Sequence, residues 1–383
     1  MQYRAEIDGL RALAVIPVVL FHAGIVGFDG GFVGVDIFFV ISGYLITSII
    51  LSDQKKQRFT LAGFYARRAR RILPALMTVV LLSTVAAWYL LLPIELVDYG
   101  KSLASVGVFA SNVLFWAQSD YFAPTSEFIP LLHTWSLAVE EQFYLIFPVF
   151  MIGTIAWVKS KRMLVLIIVA IMSLVFCEWA WRYAPEANFF LVPSRLWELL
   201  VGVFCAFYLQ KPKEHTKMIK QLGSIAGLLV LLFAIIFFDK SIPFPSVYAL
   251  LPVLGTGMVI LFTDKNTFVG QLLSLPIIVG IGLISYSAYL WHQPLFVFAR
   301  FNSLDELSVT ALLGLSVLAF LMAYISWRWV EKPFRNRNWL SQRQILLMAG
   351  LCSLILIILG LIFVCGDGYD KRFVTLENVI AAI

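Results

Sequence analysis

The segment LRALAVIPVVLFHAGIV, residues 10–26, decides the fold. Apart from Arg11 and His22 it is continuously apolar, and its length matches the roughly 17 to 25 residues a helix needs to cross about 30 Å of hydrocarbon at 1.5 Å per residue. A short charged head precedes it, as in a cleavable signal peptide. Ten further runs of the same kind follow and no convincing cleavage site is present, so the run reads as a signal-anchor helix. The others fall at 32–51, 73–92, 131–150, 163–181, 193–209, 222–238, 247–263, 274–298, 308–327 and 344–364. The expectation is an all-α polytopic membrane helix bundle with about 11 transmembrane helices. Composition agrees, with 61% hydrophobic, 15% aromatic and 14% charged residues where a soluble domain carries about 25% charges. The short alternating segments of a membrane β-barrel are absent.

The stretch SLASVGVFASNVLFWA, residues 102–117, is also apolar, but Ser, Gly and Asn interrupt it, which places it in a long outer loop as an interfacial or re-entrant helix. Lys and Arg accumulate in cytoplasmic loops, and with the N-terminus cytoplasmic most of the 29 Lys and Arg fall on that side. A twelfth crossing at 102–117 would invert every later loop and put the basic ones on the wrong side. Eleven spans leave the C-terminus extracytoplasmic. Cys177, Cys205, Cys352 and Cys365 lie in or at the ends of apolar runs without metal-like spacing and are expected as buried small hydrophobes. No linker, low-complexity tract or convincing repeat divides the chain. Residues 1–343 read as the transmembrane domain of helices 1 to 10, and 344–383 as an eleventh helix with an extracytoplasmic tail.

Ionisable residues within spans cost about 2.5 to 3.5 kcal/mol each at a helix centre, so they usually face a cavity and serve a purpose. His22 lies roughly 18 Å from the cytoplasmic boundary of helix 1, and Glu140 and Glu141 lie roughly 15 to 17 Å from the same boundary, so that an imidazole and a carboxylate at matched depth can meet. Arg11 and His22, about three turns apart, project from nearly the same face. Asp36, Arg195, Glu198 and His292 fall in the outer half and read as substrate contacts or structural support. Each has a blander reading: Asp36 as a cap of helix 2, Arg195 with Glu198 as a local i, i+3 pair, His22 or His292 as an imidazole bonded to a neighbouring helix. His133 sits at the outer boundary without an assigned role, and His215 lies in a basic loop.

Arg67, Arg68, Arg70 and Arg71 crowd into FYARRARRILP, residues 64–74. They read either as anchors to anionic lipid or as an anion site, and their density favours a phosphorylated cytoplasmic ligand.

Several segments carry a resemblance: IDGLRALAVIPVVLFHAG, GGFVGVDIFFVISGYLIT, FYARRARRILPA, TWSLAVEEQFYLIFP, SYSAYLWHQP and WRWVEKPFR. Together they resemble the bacterial acyltransferase-3 family of membrane O-acyltransferases, from about Ile7 to Arg335. The resemblance implies a protein of the bacterial cytoplasmic (inner) membrane that moves an acyl group, typically acetyl, from cytoplasmic acetyl-CoA to a cell-surface glycan such as lipopolysaccharide O-antigen, with no metal and no nucleic acid involved. It implies that Arg11 and His22 form an essential Arg-x10-His pair, that Arg68 and Arg71 handle CoA phosphates, and that Glu141 or Glu140 is the acidic member of the EEQFY motif. An SGNH-like extracytoplasmic domain or a separate protein is then expected to complete transfer. His22 serves as general base or as a transient acyl carrier, with a glutamate orienting its ring. Two rival classes are a transporter or flippase for an anionic or lipid-linked sugar, which shares buried His, carboxylate and arginine residues, and a non-catalytic membrane subunit that seats a partner.

Overall fold

The computed structural model describes residues 3–119, 126–154, 159–211, 214–303, 305–336 and 339–372. Residues 373–383 of the expected tail lie outside the described residues. The helices are α1 (Ala5–His22), α2 (Gly34–Lys55), α3 (Leu61–Leu90), α4 (Pro93–Gly107), α5 (Ser111–Ala117), α6 (Thr134–Gly153), α7 (Lys159–Tyr183), α8 (Pro185–Phe190) and α9 (Val192–Tyr208). They continue with α10 (Lys217–Phe237), α11 (Leu250–Phe262), α12 (Phe268–Leu273), α13 (Pro276–Phe301), α14 (Val309–Ser326), α15 (Lys332–Arg335) and α16 (Gln342–Cys365). A π-helical turn, Trp327–Glu331, joins α14 to α15. No strand occurs among the described residues.

Every expected span has a helix. Eight stretches among the described residues are long and apolar enough to cross a membrane: α2, α3, α6, α7, α8 with α9, α10, α14 with its π turn and α15, and α16. The three helices at expected spans outside that set are α1, α11 and α13. α11 is only 13 residues long. α1 carries Glu6, Asp8 and Arg11 within 18 residues, and α13 carries Ser285, Ser287, His292 and Gln293 on its buried face. The polar helices α1 and α13 pack against each other, whereas the apolar α7, α14 and α16 show only 17–22% of their most apolar windows to the protein interior. Polarity and burial therefore run together, as they must where lipid rather than water surrounds the bundle.

Small residues let the central helices touch. A β-carbon on Gly43 of α2 would sit 1.9 Å from the Leu199 carbonyl oxygen, and one on Gly202 of α9 would sit 2.0 Å from that of Val40, so only glycine allows this crossing. The 102–117 segment resolves into two pieces. The first, α4, begins at Pro93 and packs lengthwise on α16; the second, α5, turns against α6 and α8. Cys177 and Cys205 are buried, but Cys352 is partly open and Cys365 is exposed, which corrects the expectation for that pair.

Candidate active site

α3 is capped by Thr60, whose hydroxyl accepts the Gly63 N–H, and runs through the four arginines before Pro74. Helical spacing sends them to two faces. Arg67 is held by Asp53 at 2.7 Å, which also binds Arg58 at 2.8 Å, and Arg70 donates to the Leu340 carbonyl at 2.6 Å. Arg68 stands 5.8 Å over the Tyr144 ring, and neither it nor Arg71 makes an ion pair or hydrogen bond among the described residues. Both line a cavity of about 90 Å³ whose wall also includes Arg11, Ser42, Glu140, Tyr144 and Tyr289. Arg11 and Arg71 continue into a wider mouth of about 520 Å³, joined there by Arg67, Arg70 and Arg335. Arg11 is steadied by Asp8 at 2.9 Å, to which Tyr3 also donates.

Tyr289 of α13 forms part of the cavity wall nearest the histidines. Its hydroxyl donates to the His133 carbonyl at 3.0 Å and meets Ser136 Oγ at 2.7 Å. Behind this ring lie three imidazoles: His292 is 5.0 Å from His22 and 5.7 Å from His133, centroid to centroid. His22 Nδ1 bonds the Val18 carbonyl at 2.8 Å and His292 Nδ1 bonds the Tyr289 carbonyl at 2.6 Å. A carbonyl oxygen only accepts, so both rings carry their proton on Nδ1 and present a bare Nε2 lone pair. Arg300 donates to the backbone oxygen of His22. Among the described residues no group of three or more His, Cys, Asp or Glu is placed to hold a metal ion.

The expected meeting of His22 with Glu140 or Glu141 does not occur. Glu140 lines the cavity and accepts the Tyr144 hydroxyl at 2.7 Å; Glu141 turns away from the cavity, with Oε1 buried and unpartnered among the described residues. The reason is where the helices begin. α1 starts at Ala5, so His22 is its last residue, about 26 Å from its start, whereas α6 starts beside the histidines and Glu140 lies about 9 Å further along it. No histidine is among the residues lining the cavity; Tyr289, in its wall, stands 5.3 Å from the His292 ring and 5.7 Å from that of His133.

Asp36, Arg195 and Glu198 form a sealed network away from the cavity. Arg195 reaches Asp36 at 3.0 Å and Glu198 at 2.8 Å, all three at most 1% exposed, with Phe39, Trp135, Phe189 and Phe244 around the guanidinium. Asp36 makes no capping bond; it locks α2 to α9. Sequence reasoning missed the part played by His133, although it immediately precedes TWSLAVEEQFY, and that of Arg335, quoted within WRWVEKPFR without a role. Arg335 is held in the mouth by the fully buried Glu331 at 2.6 Å.

The chain is thus a helical bundle with an arginine-walled cavity and a cluster of three imidazoles near it, and its class, the acyltransferases, comes from comparison with known proteins. The family profile described as "Acyltransferase domain" matches residues 4–328, and the chain belongs to this acyltransferase-3 family. It is 31% identical, over 99% of its length and 69% of the relative's, to SAR0937 of Staphylococcus aureus (strain MRSA252), provisionally named an O-acetyltransferase. It is 30% identical to the peptidoglycan O-acetyltransferase OatA of Listeria monocytogenes serovar 1/2a (strain ATCC BAA-679 / EGD-e), over 89% of this chain and 57% of OatA. The membrane-bound transacylase BcsY of Komagataeibacter xylinus, also provisionally named, is 32% identical over 94% of this chain and 89% of its own length. The chain thus spans little more than half of OatA and about two thirds of SAR0937. No solved structure matches.

Proposed function

We propose that the chain is the membrane part of an O-acetyltransferase that draws an acetyl group from cytoplasmic acetyl-CoA and passes it towards a hydroxyl of a cell-envelope polysaccharide. The observation that carries this reading is the pair Arg68 and Arg71, unpaired among the described residues and set in the wall of a cavity that opens to a mouth of further arginines. Guanidinium groups grip phosphate oxygens bidentately, and a lipid-anchoring role would point them outward instead. In this reading Arg11, Arg68 and Arg71 hold the CoA phosphates, Arg67 and Arg70 line the approach, and the pantetheine arm runs past Ser42 and Glu140 towards Tyr289. His22 then acts through Nε2, as general base or as acyl carrier. Glu140 serves the donor end; Glu141 supports it from the core. The Asp36, Arg195, Glu198 network holds the frame.

The topology follows the same reading: 11 crossings, the eight long apolar stretches together with the short apolar α11 and with α1 and α13, whose polar faces turn inward, the basic mouth and N-terminus cytoplasmic, and the whole in the bacterial inner membrane. Peptidoglycan, named for the Listeria relative, is the first acceptor to test and lipopolysaccharide O-antigen the second. An SGNH-like domain or a separate protein then carries the acetyl group from the acceptor sugar loaded by the membrane part to the polymer. The test is acetyl-CoA turnover by the purified chain in vesicles, with His22→Ala beside it. Turnover lost in the variant supports the assignment; equal turnover removes His22 from the chemistry. Counterflow of a lipid-linked sugar without acyl consumption would restore the transporter reading.

A further inference from the structure

We propose that His292 is a second catalytic imidazole, acting together with His22 on the hydroxyl that receives the acyl group. The inference rests on the acyl-transfer reading and extends it to the acceptor side. Core histidines ordinarily satisfy both ring nitrogens. His292 is 0% exposed, its Nδ1 proton is spent on the Tyr289 carbonyl, and its Nε2 is buried without any partner among the described residues. His22, half-buried at the end of α1, is fixed in the same tautomer by Val18, and its ring lies 5.0 Å from that of His292. Two adjoining rings, each locked by a backbone carbonyl with its acceptor nitrogen free, make a site for O–H donors. His133, 5.7 Å from His292 and with both nitrogens unpartnered among the described residues, extends the same polar cluster. An anion would be repelled by such lone pairs, so the ligand class is a polyol such as a sugar, not the CoA phosphates bound on the arginine side.

The step balances. The acceptor oxygen forms a C–O bond to the acyl carbon, the C–S bond breaks with its electron pair leaving on sulfur, and the hydroxyl proton passes to an Nε2 and ends on the departing thiolate as free thiol. The second imidazole shares that proton and accepts a hydrogen bond from the sugar.

The test is thiol release from acetyl-CoA by the 383-residue chain in vesicles, with an N-acetylglucosamine oligosaccharide as acceptor. Wild type is compared with His22→Ala, His292→Ala, His292→Gln and the double alanine variant. The expected result for His292→Ala is a fall in turnover of about 10²-fold or more with unchanged acetyl-CoA affinity. His292→Gln, whose amide accepts a hydrogen bond but takes no proton, melts like wild type and stays slow. The double variant is no slower than His22→Ala alone, because residues acting as a unit are not additive. Near-wild-type turnover in His292→Gln, or losses that multiply in the double variant, overturns the pairing. Should His292→Ala fail to fold, His292→Gln decides. A wild-type chain that releases no thiol overturns the acyl-transfer reading and this inference together.

Discussion

Adjacent guanidinium groups on α3 are committed differently: Asp53 holds Arg67, while Arg68 lies over Tyr144 and makes no direct ion pair among the described residues. Alanine at Arg68 or Arg71 is expected to weaken CoA binding by roughly tenfold or more, since a hydrogen bond to a charged group is worth about 1.5 to 3 kcal/mol. The loss should shrink as salt rises. Alanine at Arg67 should cost far less affinity, and calorimetric titration of CoA at two salt concentrations separates the cases. The arginine spacing was legible in the sequence because i, i+3 residues share a face wherever the helix begins. The histidine and glutamate pairing was not, because matched depth depends on helix starts, and α1 begins at Ala5, with Glu6 and Asp8 inside it and buried. A charged, buried first turn has no signature that separates it from a charged loop.

At the level of helices, two crossings carry the frame. A β-carbon on Gly282 of α13 would lie 1.8 Å from the carbonyl oxygen of Asp8, the residue that steadies Arg11. Gly282→Ala must push α1 and α13 apart, at a cost of about 1 to 3 kcal/mol, and should lower both the melting temperature in detergent and CoA affinity. The α2 and α9 crossing depends on charge. Arg195→Met leaves Asp36 and Glu198 buried without a counter-charge and should destabilise the protein by about 3 to 5 kcal/mol, with acyl-CoA affinity in the surviving folded fraction unchanged. Thermal unfolding followed by CoA titration checks this. Long apolar helices were readable from the chain; α4 was not. Glu95, Asp98 and Lys101 break its apolar run, but they fall three residues apart on one open face while Leu96, Tyr99 and Leu103 are buried on the other. A periodic pattern of this kind is easily mistaken for a loop beside uniformly apolar neighbours.

For the molecule as a whole, orientation is the open quantity with the simplest readout. Cys365 is exposed at the end of α16, whereas Cys177 and Cys205 are buried. A membrane-impermeant maleimide should label intact spheroplasts at Cys365, and Cys365→Ser should abolish the signal; labelling only of inverted vesicles would reverse the topology. Basic-residue counting yields this orientation from sequence, while the number of crossings does not follow from hydropathy alone, because α1 and α13 place their polar residues against each other rather than in lipid.

The Tyr289 hydroxyl tied to α6 has one more consequence, for bioenergetics. A water-filled bore from basic mouth to histidine cluster would let protons run down the gradient that powers the cell. The Tyr289 ring, held to α6 by two hydrogen bonds, stands between the arginine-walled cavity and the imidazoles, and in the acyl-transfer reading it would both hinder that leak and have to move for an acyl group to pass. Vesicles carrying the wild-type chain should therefore hold an imposed pH difference, and those carrying Tyr289→Ala should lose it within the same trace of a trapped fluorescent dye.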